Sequence, residues 1–217
     1  MSRPELTTLL LAAVLLLLLW LVWVAANRLD RLHRKVGASR AVVDAQLVRR
    51  ATAAAELATS GLLDPASAMI VGEAAWTALS CEGPEPGALT VPPDLRLLLE
   101  GSSDEQGSAA LATQPCDRGQ VESDLTAALR EVLRDPEEVG VLRAELGGDG
   151  LLDDLAAAWY RVQLARRFHN DAVAQTRAAR RGALVRLLRL AGTAPNPTTL
   201  ELDDAWPEGL PMVRPRP

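Results

Sequence analysis

Few residues of this 217-residue chain have the reactivity that chemistry needs. There are two histidines, His33 and His169, and two cysteines, Cys81 and Cys116. His33 stands in a basic stretch and is expected to be solvated. His169 falls on an alanine-lined helical seam, where a hydrogen-bonded structural histidine is expected rather than a metal ligand or a base. Asp153 and Asp154 lie near a helix start, where carboxylates favour the helix dipole. Adjacent residues on a helix do not face each other, so the two make a poor acid–base pair. The cysteine spacing matches no zinc pattern, and two cysteines are too few for a disulfide framework. No glycine-rich phosphate loop, HExxH, GxSxG or CxxC occurs. The expectation is no catalytic residue, no cofactor, no metal site and no enzyme. An enzyme would need a polar pocket that these residues do not outline.

The elements that would position any site begin with an anchor. Residues 9–26 are unbroken apolar, and no charge falls between Glu5 and Arg28. As a helix, residues 6–26 reach roughly 31 Å, which matches a hydrocarbon core of about 30 Å. Backbone polar groups in lipid must be paired within their own segment, so the span must be helical. Trp20 and Trp23 near its end suit the interfacial aromatic belt. A cleaved signal peptide is the rival reading, because Val24, Ala25 and Ala26 are acceptable to signal peptidase. The apolar run exceeds the usual length of about 7–15 residues, so an uncleaved anchor is expected. Arg28, Arg31, Arg34, Lys35 and Arg40 follow directly. The positive-inside rule then puts the rest of the chain in the cytoplasm and the N-terminus outside. The same cluster would also suit anionic lipid headgroups.

Beyond the anchor, Ala, Leu, Val and Arg dominate, with one Phe and one Tyr. That composition disfavours sheets and suits helices. Lys35 is the only lysine among 23 basic residues, a bias that points to a GC-rich genome rather than to a function. The net charge of −5 is unevenly spread. Residues 27–50 carry seven basic groups against two acidic, and residues 156–190 carry eight arginines against Asp171. Residues 51–155 carry twenty acidic groups against five arginines. Basic outer helices and an acidic middle attract one another, though an exposed pair contributes only about 0.2–1 kcal/mol. The late arginines lack interleaved aromatics, so a solvated or acid-paired face is expected rather than a nucleic-acid surface.

Along the chain, Leu29, Leu32, Val36, Val43 and Leu47 recur at helical spacings and predict a helix over 27–60 that continues from the anchor. Gly61 is a plausible stop. Asp64-Pro65 reads as an N-cap and first helical residue, with a helix to about Ser80. Its apolar side is read as Met69, Ile70, Ala74, Trp76 and Leu79, with Trp76 as a core anchor. Residues 82–120 hold five prolines and read as a loop or insertion, with a short helix near 93–100. Helices follow over 121–135, with Leu125, Leu129, Val132 and Leu133 on one side, and over 136–146, closed by Gly147-Gly148. Over 151–190 an a/d-like seam runs through Ala158, Val162, Ala165, His169, Ala172, Thr176, Ala179, Ala183, Leu187 and Leu190. Residues 192–217 are proline-rich and read as a disordered tail. Within it Leu200 to Pro207 could form a short docking motif.

Two stretches carry a resemblance. Asn27-Arg28-Leu29, Leu32 and Val36, then Val43 to Arg50, are similar to an "NRL…V…IDVQLKRR" helix. Ala165 to Val173 is similar to "AR-x-FYNDAV". In this order behind an anchor, they resemble the LemA family of bacterial membrane-anchored helical-bundle proteins. His169 stands where that family has Tyr, and residues 51–57 are alanine-rich where it has an "LIPNLV"-like segment. The resemblance implies a divergent member, all-α. It would have one N-terminal transmembrane helix (1–26), an antiparallel bundle of about four helices with long first and last members (27–191) and the tail (192–217). It implies no established enzymatic activity. Asp44, Arg49, Arg50, Arg166, Asn170 and Asp171 are polar residues on two helices expected to be neighbours. They are read as a structural network, with Asp44 or Asp171 pairing to an arginine on the facing helix.

The functional expectation is a single-pass protein of the bacterial inner membrane, with the bundle a cytoplasmic, non-catalytic scaffold or interaction module. The alternative is an extracytoplasmic envelope protein behind an uncleaved signal anchor. The partners expected are the lipid bilayer and a protein, either another component or a second copy of this chain. No nucleic acid and no small-molecule substrate are expected. In the cytoplasm Cys81 and Cys116 would be reduced thiols, whereas a bridge between them would report the other orientation.

Overall fold

Among the described residues, the stretches rich in helix formers become helices. The computed structural model describes residues 3–81, 116–188 and 196–211, and every regular element among them is helical. These are α1 (Arg3–Thr59), α2 (Pro65–Ser80), α3 (Arg118–Val132), α4 (Pro136–Ala144), α5 (Gly148–Arg180) and α6 (Ala183–Leu187). The helix expected near 93–100 lies outside the described residues.

Cap chemistry sets the boundaries. Asp64 Oδ1 accepts from the backbone N–H of Ala66 at 3.0 Å and of Ser67 at 3.2 Å, with Pro65 opening α2. Hydrogen bonding from Ser67, more than any other cause, holds the Asp64 carboxyl below its ordinary value. Asp135 caps α4 in the same way, through Glu137 N–H at 2.8 Å. Asp117 caps α3, so that helix starts three residues earlier than its apolar periodicity indicates. Gly61 and Gly147 take φ of +79° and +88°, the left-handed conformation that ends a helix and favours glycine.

α1 is continuous from the apolar run onward and is long and apolar enough to cross a membrane. The chain divides into two compact units, Met1–Arg40 with Arg167–Thr199, and Ala41–Arg166 with Leu200–Pro217. In the first unit Ser39 Oγ lies 3.0 Å from His169 Nδ1, and Lys35 Nζ donates to Gln175 Oε1 at 3.3 Å. Arg180 Nη1 lies 3.5 Å from His33 Nε2. Descending numbers on α1 thus meet ascending numbers on α5. His33 is partly buried against Arg180, and burial first and that arginine second lower its pKa.

The second unit holds the main core. Leu57 of α1, Val71 and Ala75 of α2, Leu125 and Leu129 of α3, and Leu155 and Trp159 of α5 are its centre. α2 packs on α3. The expected face of α2 is corrected in part: Ala74 and Leu79 pack on the core, but Met69, Ile70 and Trp76 do not. Val71, Ala75 and Ala78 are buried, while Met69 and Trp76 are 76% and 72% exposed. Both stripes obey helical spacing, but α2 approaches α1 so closely that a Cβ on Gly72 would stand 3.7 Å from that of Ala58. Small side chains fit that gap and Trp76 does not.

The alanine seam of α5 is buried from Ala158 to Thr176, within each unit in turn. It stops short of the expected end. The N–H groups of Arg181 and Gly182 bond back to Ala178 and Ala179 in a turn, and Leu187 is exposed.

The expectation of a disordered tail is also corrected over 196–211. Leu200 and Leu210 are buried, Leu202 packs on Val43, Leu47, Val162 and Ala165, and Trp206 packs on the main core. Proline removes backbone donors, but side chains and the remaining N–H groups hold this segment as a strap.

Candidate functional site

Arg50 is the most demanding residue in the molecule, a guanidinium with no solvent exposure. α1 carries it between Leu47 and Ala54, both core positions, so its charge must be met inside the protein. α3 supplies the partners from one face, four residues apart. Arg50 Nη2 donates to Glu122 Oε2 and to the Glu122 carbonyl, both at 2.9 Å, and Nη1 donates to Thr126 Oγ1 at 3.0 Å. The guanidinium carbon sits 5.2 Å from the centre of the Trp159 ring, within cation–π range. Burial lowers the Arg50 pKa, and the Glu122 carboxylate opposes that shift.

Glu122 serves a second cation. Arg118 Nε donates to Glu122 Oε1 at 3.0 Å, and Arg118 Nη1 donates to the carbonyl of Cys81. Cys81 is disulfide-bonded to Cys116, with their Cα atoms 5.8 Å apart. That separation is ordinary for a disulfide. The bridge joins the end of α2 to the residue before the Asp117 cap. It therefore holds the start of α3, and so Glu122, against α2.

The strap closes the other side. Asp204 takes a bidentate pair from Arg166, Nε to Oδ2 and Nη2 to Oδ1, each 2.8 Å. The Asp204 carbonyl accepts from Trp159 Nε1 at 3.1 Å and from Gln163 Nε2 at 2.7 Å. Asp203 N–H donates to Ser123 Oγ at 2.9 Å, and Thr126 Oγ1 donates to the Asp203 carbonyl at 2.8 Å. Trp206 lies 6.0 Å from Trp159 between ring centres and donates from Nε1 to the Leu210 carbonyl at 2.6 Å. Gly209 N–H reaches the Leu133 carbonyl at 3.0 Å.

Of the six residues singled out in the sequence, Arg50 and Arg166 belong to this network, bridged by Trp159 and Asp204. Arg49 and Asp171 are exposed, Asp44 is half-buried in the second unit and Asn170 half-buried in the first. The acids that meet Arg50 and Arg166 are Glu122 and Asp204. Sequence reasoning missed Glu122, Thr126 and Trp159, and named Asp204 and Trp206 only as part of a docking motif within the tail. The available signal was Trp206 with Leu200, Leu202 and two aspartates in a segment otherwise built like a tail. Chemically the arrangement binds carboxylate and indole with guanidinium. Among the described residues no cluster of three or more His, Cys, Asp or Glu could hold a metal ion. No protein-family model, curated protein or solved structure matches the chain.

Proposed function

We propose that this chain is a single-pass protein of the bacterial inner membrane whose antiparallel helical bundle works outside the cytoplasm. There it acts as a non-catalytic scaffold or interaction module of LemA-like design. The disulfide between Cys81 and Cys116 is the observation that carries the orientation. Disulfides persist in oxidising compartments and are rare in the cytoplasm. Closing a loop of 35 residues adds about 4 kcal/mol in the chain-entropy picture. The basic residues after the apolar run favour the opposite orientation, but they have a second use at lipid headgroups. What supports the non-catalytic role is that the acids of the second unit's network, Glu122 and Asp204, are engaged by Arg50, Arg118 and Arg166.

Reporter fusions after Pro217 test the orientation. Alkaline phosphatase, which needs its own disulfides, is expected to be active there, and green fluorescent protein exported by the same route is expected to be dark. The reverse pattern puts the bundle in the cytoplasm and returns the basic cluster to its role in setting topology.

A further inference from the structure

A groove of about 770 Å³ opens in the first unit where the apolar run of α1 gives way to charge. Leu21, Val24 and Ala25 form one wall, and Ala178, Ala179 and Gly182 the other. The size falls within the range of about 300–1,000 Å³ typical of small-molecule sites. The space exists because Ala178 and Ala179 at the end of α5, and Gly182 just beyond it, carry methyl groups or nothing where longer side chains would fill it. Its α1 wall belongs to the apolar run, so with that run in a bilayer the groove would open to hydrocarbon. Arg28 lines the same groove at the point where that run ends.

We propose that this groove binds an anionic phospholipid of the host bilayer. One acyl chain lies along Leu21, Val24 and Ala25, and the phosphate meets Arg28. An apolar slot open to lipid, with a guanidinium at headgroup level, is complementary to that molecule at both ends. A soluble apolar ligand would leave Arg28 unmatched, and a helix of a partner would need a longer slot than two turns provide. The lipid also explains a dense basic cluster beside the membrane without invoking topology. The inference rests on the reading that α1 spans the bilayer.

The test uses the full chain in phosphatidylcholine vesicles doped with a lipid carrying a photoactivatable acyl chain. The headgroup is phosphatidylglycerol in one sample and phosphatidylcholine in the other. Cross-linked positions are mapped by mass spectrometry. The expected result is labelling within 178–185, about fivefold stronger from phosphatidylglycerol, the factor one basic group near an anionic surface supplies. Arg28→Gln should remove the headgroup preference, and Ala179→Leu should reduce labelling by both lipids while helicity is unchanged. Equal labelling from both headgroups, or full labelling of Ala179→Leu, would overturn the proposal. Release of the chain from vesicles by alkaline carbonate would instead overturn the spanning reading on which it rests.

Discussion

Glu122 is the residue on which the buried network turns, because one carboxylate answers two guanidiniums. Removing its charge leaves Arg50 and Arg118 facing each other away from water. Glu122→Gln is therefore expected to cost about 3–5 kcal/mol, the range for breaking a buried pair. Arg50→Met should cost less, because Glu122 keeps Arg118. Adding Arg50→Met to Glu122→Gln should recover stability relative to Glu122→Gln alone. Urea unfolding of the detergent-solubilised chain measures all three, and equal losses for the two single variants would count against a shared carboxylate. At this scale the sequence exposed two arginines of the network and neither of the acids that meet them. Arg50 and Arg166 stand in patterned helices, where an unusual polar residue is conspicuous. Glu122 and Asp204 are 72 and 38 residues away from them. No periodicity links residues so far apart, and acidic residues abound in the intervening chain.

Helices with caps were legible, and so were the buried faces of α1, α3 and most of α5, but the face that α2 buries was not. Asp64-Pro65 and Asp135-Pro136 announce their helices because capping is local chemistry. The choice between the Met69–Trp76 stripe and the Val71–Ala75–Ala78 stripe depends on how near a neighbouring helix comes, which no local pattern encodes. Trp76→Glu is accordingly expected to change stability by no more than about 0.5 kcal/mol, as for surface sites. Trp159→Ala, at a fully buried position, should cost about 3–5 kcal/mol. Thermal melts of the two separate an exposed tryptophan from a buried one, and a large loss for Trp76→Glu would restore the Met69–Trp76 stripe as the buried face of α2. The strap was hidden by its prolines, whose composition resembles that of disordered segments. Its docking is tight at Gly209, where a Cβ would stand 2.6 Å from the Leu133 carbonyl and 3.0 Å from that of Asp135. Gly209→Ala should free the strap, seen as protease cleavage within 200–211 that the parent chain resists. Unchanged protection would mean that Arg166 and Trp159 hold the strap without its end.

For the whole molecule, one long apolar helix and one disulfide bear on where the protein works. The helix was evident from composition, since eighteen consecutive apolar residues have few other uses. The disulfide was not, because the separation of two cysteines in sequence says little about their separation in space. It took the juxtaposition of the end of α2 with the start of α3 to bring them together. The account predicts an anchored bundle whose Cys81 and Cys116 are oxidised and face the outside. The most direct measurement is thiol labelling of intact cells with a membrane-impermeant maleimide, before and after a membrane-impermeant reductant. The prediction is no labelling before reduction and labelling of both cysteines after it, without lysis. Labelling that requires lysis and no reductant would contradict the account and put free thiols in the cytoplasm.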